Sequence, residues 1–77
     1  RWLQPNTYGY LMQIIVNGDS QEAEPGLTVA GLIDRLGLSK QACAVELNKQ
    51  LVPKKSHGEA KLAAGDRVEI VTLVRGG

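Results

Sequence analysis

Residues 12–24 read MQIIVNGDSQEAE, and this stretch contains the pattern that decides the fold. Apolar residues stand at every second position from Met12 to Val16, as a strand with one buried face requires. The following Asn17-Gly18-Asp19 tolerates the positive φ angles of a tight turn, so the polar residues 20–24 can return as an exposed strand. The sequence therefore predicts a β-hairpin.

A helix is predicted after the hairpin. Pro25-Gly26 ends the extended run, and Thr28 is a suitable N-cap. Gly37 stands where a residue in the left-handed conformation would end the helix. Between these limits the apolar residues have the spacing of a single helical stripe, which consists of Val29, Leu32, Ile33 and Leu36.

Three further segments have the character of strands. Residues 43–47 alternate between apolar and other side chains, and Leu51-Val52 predicts a brief edge strand because Pro53 has no N–H to donate. Residues 67–74 give the strongest strand signal. The order of hairpin, helix and strands predicts an α+β fold, a β-grasp roll in which one helix packs on a mixed sheet of four to five strands, with the first and last strands able to pair at its centre.

Composition limits the functions that the chain can have. Seventy-seven residues make one domain, and a chain of this size buries only about 60% of the surface that its unfolded form exposes. An enclosing substrate pocket would remove scarce core, which disfavours a self-contained enzyme. No apolar run approaches the roughly 20 residues that span a bilayer, and residues 1–11 lack the pattern of a secretory signal. With the single Cys43 unable to form an internal disulfide, we expect a cytoplasmic protein.

The charged and polar side chains suggest no catalytic or metal site. The net charge is +1, with about −2 on residues 1–38 and +3 on residues 39–77. No aromatic residues are interleaved with the lysines that could contact nucleic acid, so we expect no such partner. His57 has no Cys, Asp or second His at ligand spacing, which predicts an exposed histidine and no metal. Cys43 in an apolar strand is interpreted as a small hydrophobic residue.

Residues 75–77 read Arg-Gly-Gly and follow the last predicted strand directly. Gly76 and Gly77 have no Cβ, so an extended tail can enter a narrow channel with an unhindered carboxylate. Joining that carboxylate to AMP gives an acyl donor that accepts sulfur. A frayed end without function is the alternative interpretation, and the β-grasp pattern before the glycines favours the functional one.

The chain resembles the ThiS sulfur carriers of thiamin biosynthesis, which belong to the ubiquitin-like β-grasp superfamily. The resemblance covers residues 12–77. It rests on the MQIIVNG start, on Thr28-Val29 at the head of the helix with Leu32 and Leu36, on AVELN at 44–48, on Val52-Pro53-Lys54, and on Leu62, Gly65-Asp66, VEIV at 68–71 and the closing Gly-Gly.

The resemblance implies that a ThiF-like, E1-type adenylyltransferase activates Gly77 with ATP and magnesium, while the chain itself binds no cofactor. A cysteine desulfurase or another sulfur donor would then give a thiocarboxylate, and a ThiG-like thiazole synthase would take the sulfur. The chain would be a carrier or cosubstrate, with no catalytic residue of its own. Val71 and Leu73 lie on the side of the last strand opposite Val68 and Ile70, so we expect both to reach solvent if the helix covers the other side. Together with Val74 they are predicted partner contacts; packing under a loop is the alternative for Val71 and Leu73.

Two departures from the family pattern leave other functions open. Residues 1–11 precede the usual start of the family, and we interpret them as an N-terminal extension, flexible or foreign to the natural protein. The predicted domain is 12–74 and the reactive tail is 75–77. Arg75 stands where the family more often has a small residue, and the resulting Val-Arg-Gly-Gly ending is closer to that of ubiquitin. The alternatives are therefore a ubiquitin-like protein modifier and the small subunit of molybdopterin synthase, although the paired prolines of the latter's tail are missing.

Overall fold

A computed structural model describes residues 11–73 of the chain. It contains five strands, one α-helix and one 3₁₀ turn. In chain order these are β1 (Met12–Val16), β2 (Asp19–Ala23), α1 (Val29–Arg35), β3 (Cys43–Leu47), β4 (Gln50–Val52), the 3₁₀ turn (Lys54–Ser56) and β5 (Arg67–Thr72).

The strands form one mixed sheet in the order β2-β1-β5-β3-β4. β1 runs parallel to β5 and antiparallel to β2, and β3 is antiparallel to both β4 and β5. The first and last strands are therefore neighbours in the middle of the sheet. The predicted α+β roll, the number of strands and the central pairing are all confirmed.

Local sequence explains the turns and the helix ends. Asn17 and Gly18 have φ angles of 50° and 88°, the positive values of a two-residue hairpin turn. The Thr28 side chain accepts a hydrogen bond from the Gly31 backbone N–H at 3.0 Å, as an N-cap should. At the other end Gly37 has φ of 77°, and the backbone N–H groups of Gly37 and Leu38 donate to Asp34 and Ile33. The predicted helix and both of its caps are confirmed.

The core lies between α1 and one face of the sheet. Alternate residues of the strands and the predicted helical stripe meet there, and the last member of the stripe, Leu36, is half-buried. The buried apolar residues are Ile14, Val16, Ala23, Val29, Leu32, Ile33, Val45, Leu62, Val68 and Ile70. The opposite side of the sheet, called the open face below, carries no helix from residues 11–73.

Two expectations need adjustment. β5 ends at Thr72, whereas the sequence predicted a strand to residue 74. The backbone N–H of Leu73 still donates to Ala42. Ala42 lies just before β3, which begins at Cys43, so the ladder between β3 and β5 ends at this hydrogen bond. Val74 lies outside the described residues, as do the predicted tail at 75–77 and all but Leu11 of the predicted extension.

The expectation that His57 is exposed was wrong, because its side chain is only 9% exposed. It follows the 3₁₀ turn, whose hydrogen bonds fold the segment back beside β4. There a ring nitrogen, Nε2, lies 3.1 Å from the carbonyl oxygen of Val52. The backbone oxygen of His57 also accepts a hydrogen bond from Ala30. The polar residues around His57 in the sequence gave no sign of this contact with the helix.

Candidate functional site

The candidate site is built around β5, the strand that leads to the predicted reactive tail. β5 is hydrogen-bonded to a strand on each side, so its position is fixed by two ladders. The described chain leaves the sheet at Leu73, four residues before Gly77. Gly76, Gly77 and Arg75, the residues to which sequence analysis assigned the chemistry, lie outside the described residues.

Asn17 extends the parallel pairing between β1 and β5. Its backbone N–H donates to the Val68 carbonyl at 2.9 Å. Beyond this point the Asn17 side chain, rather than another residue of β1, bonds to the backbone of β5. The amide Nδ2 donates to the Ile70 carbonyl at 3.2 Å, and Oδ1 accepts from the Ile70 N–H at 2.8 Å. A side-chain amide thus takes the place of a peptide group and anchors the tail-bearing strand at its middle.

Asn48 holds the beginning of β5 from the other side. Its backbone N–H donates to the Arg67 carbonyl at 2.7 Å, and its Oδ1 accepts from the Arg67 N–H at 2.9 Å. Its Nδ2 donates to a carboxylate oxygen of Asp66 at 3.0 Å, while the other oxygen of Asp66 accepts from the Ala63 N–H. Sequence analysis found Asn17 as a turn residue and Asn48 as part of a family motif, but it predicted neither set of contacts.

Exposed apolar side chains lie on the same part of the sheet. Val71 is 58% exposed and Leu73 is 53% exposed, so the prediction that these two residues reach solvent is confirmed. The structure adds Leu51 on the edge strand β4, which is 68% exposed. Ala44 lies directly opposite Val71 and is half-buried. On β3, β4 and the end of β5, the apolar residues of the open face are Ala44, Leu51, Val71 and Leu73.

Leu51 was missed as a surface residue. Its position on a predicted edge strand was recognised, but a strand of three residues does not reveal from sequence which face each side chain occupies. The only signal was its alternation with Val52, the half-buried partner of Val45. Because Val52 faces the core side, Leu51 must face away from it.

Some of the remaining reactive side chains of residues 11–73 share one groove. A groove of about 280 Å³ lies beside the helix and includes Cys43, His57 and Lys54 in its lining. The Cys43 thiol lies 3.6 Å from the Gln41 carbonyl oxygen and 3.9 Å from that of Leu38. Over residues 11–73 we find no group of three histidine, cysteine or acidic side chains placed to hold a metal ion. In the same range no helix has the length and apolar character needed to cross a membrane.

Comparison with known proteins places this arrangement in a family. Residues 14–77 match the model of the ThiS family, a match that includes both terminal glycines. The chain belongs to the ThiS family. The sulfur carrier protein ThiS of Escherichia coli is 27% identical over 66 residues, which cover 86% of this chain and 100% of that protein.

A solved structure supports the same assignment. The crystal structure of the thiamine biosynthesis protein ThiS from Geobacter metallireducens superposes with a TM-score of 0.73 at 26% sequence identity, covering 86% of this chain and 100% of that one. The ThiS-family chain therefore has the ubiquitin-like β-grasp fold that its sequence predicts.

Longer proteins also contain a region similar to this ThiS-family chain. A thiazole synthase from Paramagnetospirillum magneticum is 35% identical over 66 residues, and one from Magnetococcus marinus is 38% identical over the same number. In both cases the match covers 86% of this chain, which spans only 20% of the length of the thiazole synthase.

Proposed function

We propose that this ThiS-family chain is a sulfur carrier protein of thiamin biosynthesis, which delivers sulfur for thiazole formation as a thiocarboxylate on Gly77. The observation that carries the proposal is the family match, because it runs through Gly76 and Gly77 as well as through the folded domain. The described structure supports it by fixing β5, the strand that leads to these glycines. The proposed units are the domain at 12–74 and the reactive tail at 75–77, preceded by the extension at 1–11.

The proposed chemistry exchanges one carboxylate oxygen for sulfur. The Gly77 carboxylate attacks the α-phosphorus of ATP, and diphosphate leaves, which gives an acyl adenylate. A sulfur nucleophile at the oxidation level of sulfide then attacks the acyl carbon, and AMP leaves with one of the former carboxylate oxygens. In this scheme ATP is a substrate of the activating enzyme and is bound there with magnesium, and the carrier supplies only the carboxylate.

The short tail requires the activating enzyme to bind close to the sheet. Gly77 is four positions after Leu73 in the chain, so even a fully extended tail places Gly77 no more than about 14 Å from Leu73. An enzyme that receives Gly77 in its active site must therefore contact the end of β5. The exposed side chains of Leu51, Val71 and Leu73 offer it an apolar surface, and the predicted contact at Val74 follows directly in the chain.

The proposed partners are a ThiF-like adenylyltransferase, a cysteine desulfurase or other sulfur donor, and a ThiG-like thiazole synthase. The likeness to a region within two thiazole synthases supports the last of these, because it places a ThiS-like sequence in the same protein as a synthase. All catalysis belongs to the partners, and the carrier is a recyclable cosubstrate in the cytoplasm.

The test is the intact mass of the chain after incubation with ATP, magnesium, a sulfide source and a ThiF-like adenylyltransferase that loads the Escherichia coli carrier. We expect a gain equal to the exchange of one oxygen for sulfur. A variant without Gly77 should show no gain, whereas a matched variant without Arg1 should load like the parent chain. Circular dichroism should show the same folded spectrum for all three chains.

No mass gain in the parent chain would overturn the proposal. Loading of the variant without Gly77 would also contradict it, because the thiocarboxylate would then lie on another residue. If the activated chain is instead found on lysine side chains of other proteins, the isopeptide products would establish the role of a ubiquitin-like modifier.

A further inference from the structure

The open face carries two glutamates directly opposite each other at its centre. Glu46 on β3 is the register partner of Glu69 on β5, and both side chains are exposed. Like charges in directly opposed positions destabilise an antiparallel pair. The sheet therefore retains an unfavourable arrangement on a face that residues 11–73 leave uncovered.

Neighbouring hydrogen bonds define the distance between the two strands at this pair. Asn48 donates its backbone N–H to Arg67, and Leu73 donates to Ala42. Bonded pairs recur at every second position of an antiparallel ladder, which makes Glu46 and Glu69 such a pair, with Cα atoms about 5.5 Å apart. Two carboxylates at this spacing are within reach of a single cationic side chain.

Hydrogen bonds within residues 11–73 leave both carboxylates unused. The side-chain hydrogen bonds of residues 11–73 involve neither Glu46 nor Glu69. Arg67, two residues before Glu69, is the nearest cation along β5 and carries a formal charge of +1 against the −2 of the two glutamates. The pair together with Arg67 retains one negative charge.

Apolar side chains border the pair on two sides. Leu51 on β4 is the register partner of Glu46. On β5, Val71 is the next residue after Glu69 on the same face of the strand. Both are more than half exposed, at 68% and 58%. A small acidic centre beside apolar groups matches a partner surface that presents a cation surrounded by apolar side chains.

We infer that Glu46 and Glu69 together bind an arginine of the adenylating enzyme, and that apolar side chains of that enzyme pack on Leu51 and Val71. Arginine fits better than lysine because its planar guanidinium presents several N–H donors and can bond to both carboxylates at once. The inference rests on the proposed function, which requires an enzyme to bind beside β5. It adds the chemical nature of the group that the carrier recognises there.

The test compares two double variants of the full chain. The first variant, Glu46→Gln with Glu69→Gln, removes both carboxylates while keeping the side-chain shape. The control, Glu22→Gln with Glu24→Gln, makes the same change in net charge at the edge strand β2, where Glu22 lies on the strand and Glu24 just after it. The measurement is the Kd for the ThiF-like adenylyltransferase by calorimetry at low and high salt. We expect the first variant to raise Kd by about tenfold and to weaken its salt dependence, and the control to change Kd by less than about twofold.

Four results would overturn the inference, and only the last of them would also overturn the proposed function. If the parent chain binds and loads but the first variant keeps the parent Kd, the glutamates are not the recognised groups and the proposed function still stands. If binding is lost only together with a lowered unfolding midpoint, the glutamates have a structural role. If the parent chain alone sediments as a dimer that the first variant dissociates, a second copy of the chain covers the face. Failure of the parent chain to bind the enzyme at all would overturn the proposed function and this inference together.

Discussion

Replacing Asn17 with glycine tests whether the side-chain amide anchors the tail-bearing strand. Glycine accepts the positive φ of 50° at this position, so the hairpin turn is kept while the two hydrogen bonds to Ile70 are lost. Each such bond contributes about 1 kcal/mol net, which predicts a loss of about 2 kcal/mol in the free energy of unfolding. For a domain of this size the thermal midpoint should fall by roughly 8–16 °C.

The matched control is Lys49→Gly in the turn between β3 and β4. Lys49 also has a positive φ, at 72°, and no side-chain hydrogen bond of residues 11–73 involves it. Glycine relieves the unfavourable conformation there, so we expect a gain of about 0.5–1 kcal/mol in the free energy of unfolding.

Thermal and urea unfolding, both followed by far-ultraviolet circular dichroism, give the two free energies. If Asn17→Gly proves as stable as the parent chain while Lys49→Gly behaves as expected, the amide bonds to Ile70 do not contribute to stability. Our account of how β5 is anchored would then be wrong.

Three further predictions use the same unfolding assays or the binding assay. Gly37→Ala should lower the free energy of unfolding by about 1 kcal/mol, because the φ of 77° at this position is unfavourable for alanine. Gly58 has open space for a Cβ and no such φ, so Gly58→Ala should be neutral or slightly stabilising. Equal effects of the two substitutions would contradict the reasoning. Thr28→Ala should lower the free energy of unfolding by about 1 kcal/mol, because the hydrogen bond that caps the Gly31 N–H is lost. Thr28→Ser keeps a hydroxyl at this position and should retain most of that free energy. A serine variant as unstable as the alanine variant would contradict the capping role. Leu51→Gln should leave the unfolding midpoint unchanged, because Leu51 is 68% exposed. If Leu51 is a partner contact, the same substitution should raise the Kd for the adenylyltransferase by about tenfold. An unchanged Kd would remove Leu51 from the proposed surface.

Local patterns in the sequence were sufficient for most of the fold. Alternation from Met12 to Val16 and the apolar stripe on α1 each follow from a requirement to bury one side of an element, so they are visible in a short window. Gly37 was found for the same reason, since the left-handed end of a helix requires a particular residue type at a particular place.

The contacts that sequence analysis missed depend on residues far apart in the chain. Asn17 and Ile70 are 53 positions apart, and their hydrogen bonds exist only because β1 and β5 pair in one register. His57 is buried because the 3₁₀ turn folds its segment beside β4 and the start of the helix, which its polar neighbours do not indicate. The opposition of Glu46 and Glu69 likewise requires the register of β3 with β5.

The parallel pairing of β1 with β5 has a consequence for how the protein folds. The two strands at the centre of the sheet are the first and last strands of the described chain, so the sheet cannot be completed until β5 has been synthesised. Pairings between such distant segments carry a large loop-closure cost and slow the folding of small domains. Before β5 arrives, the hairpin of β1 and β2 and the pair of β3 and β4 present unpaired backbone edges on which aggregation can begin. Substitutions that weaken β5 should therefore lower the yield of soluble protein during expression more than their effect on equilibrium stability alone would suggest.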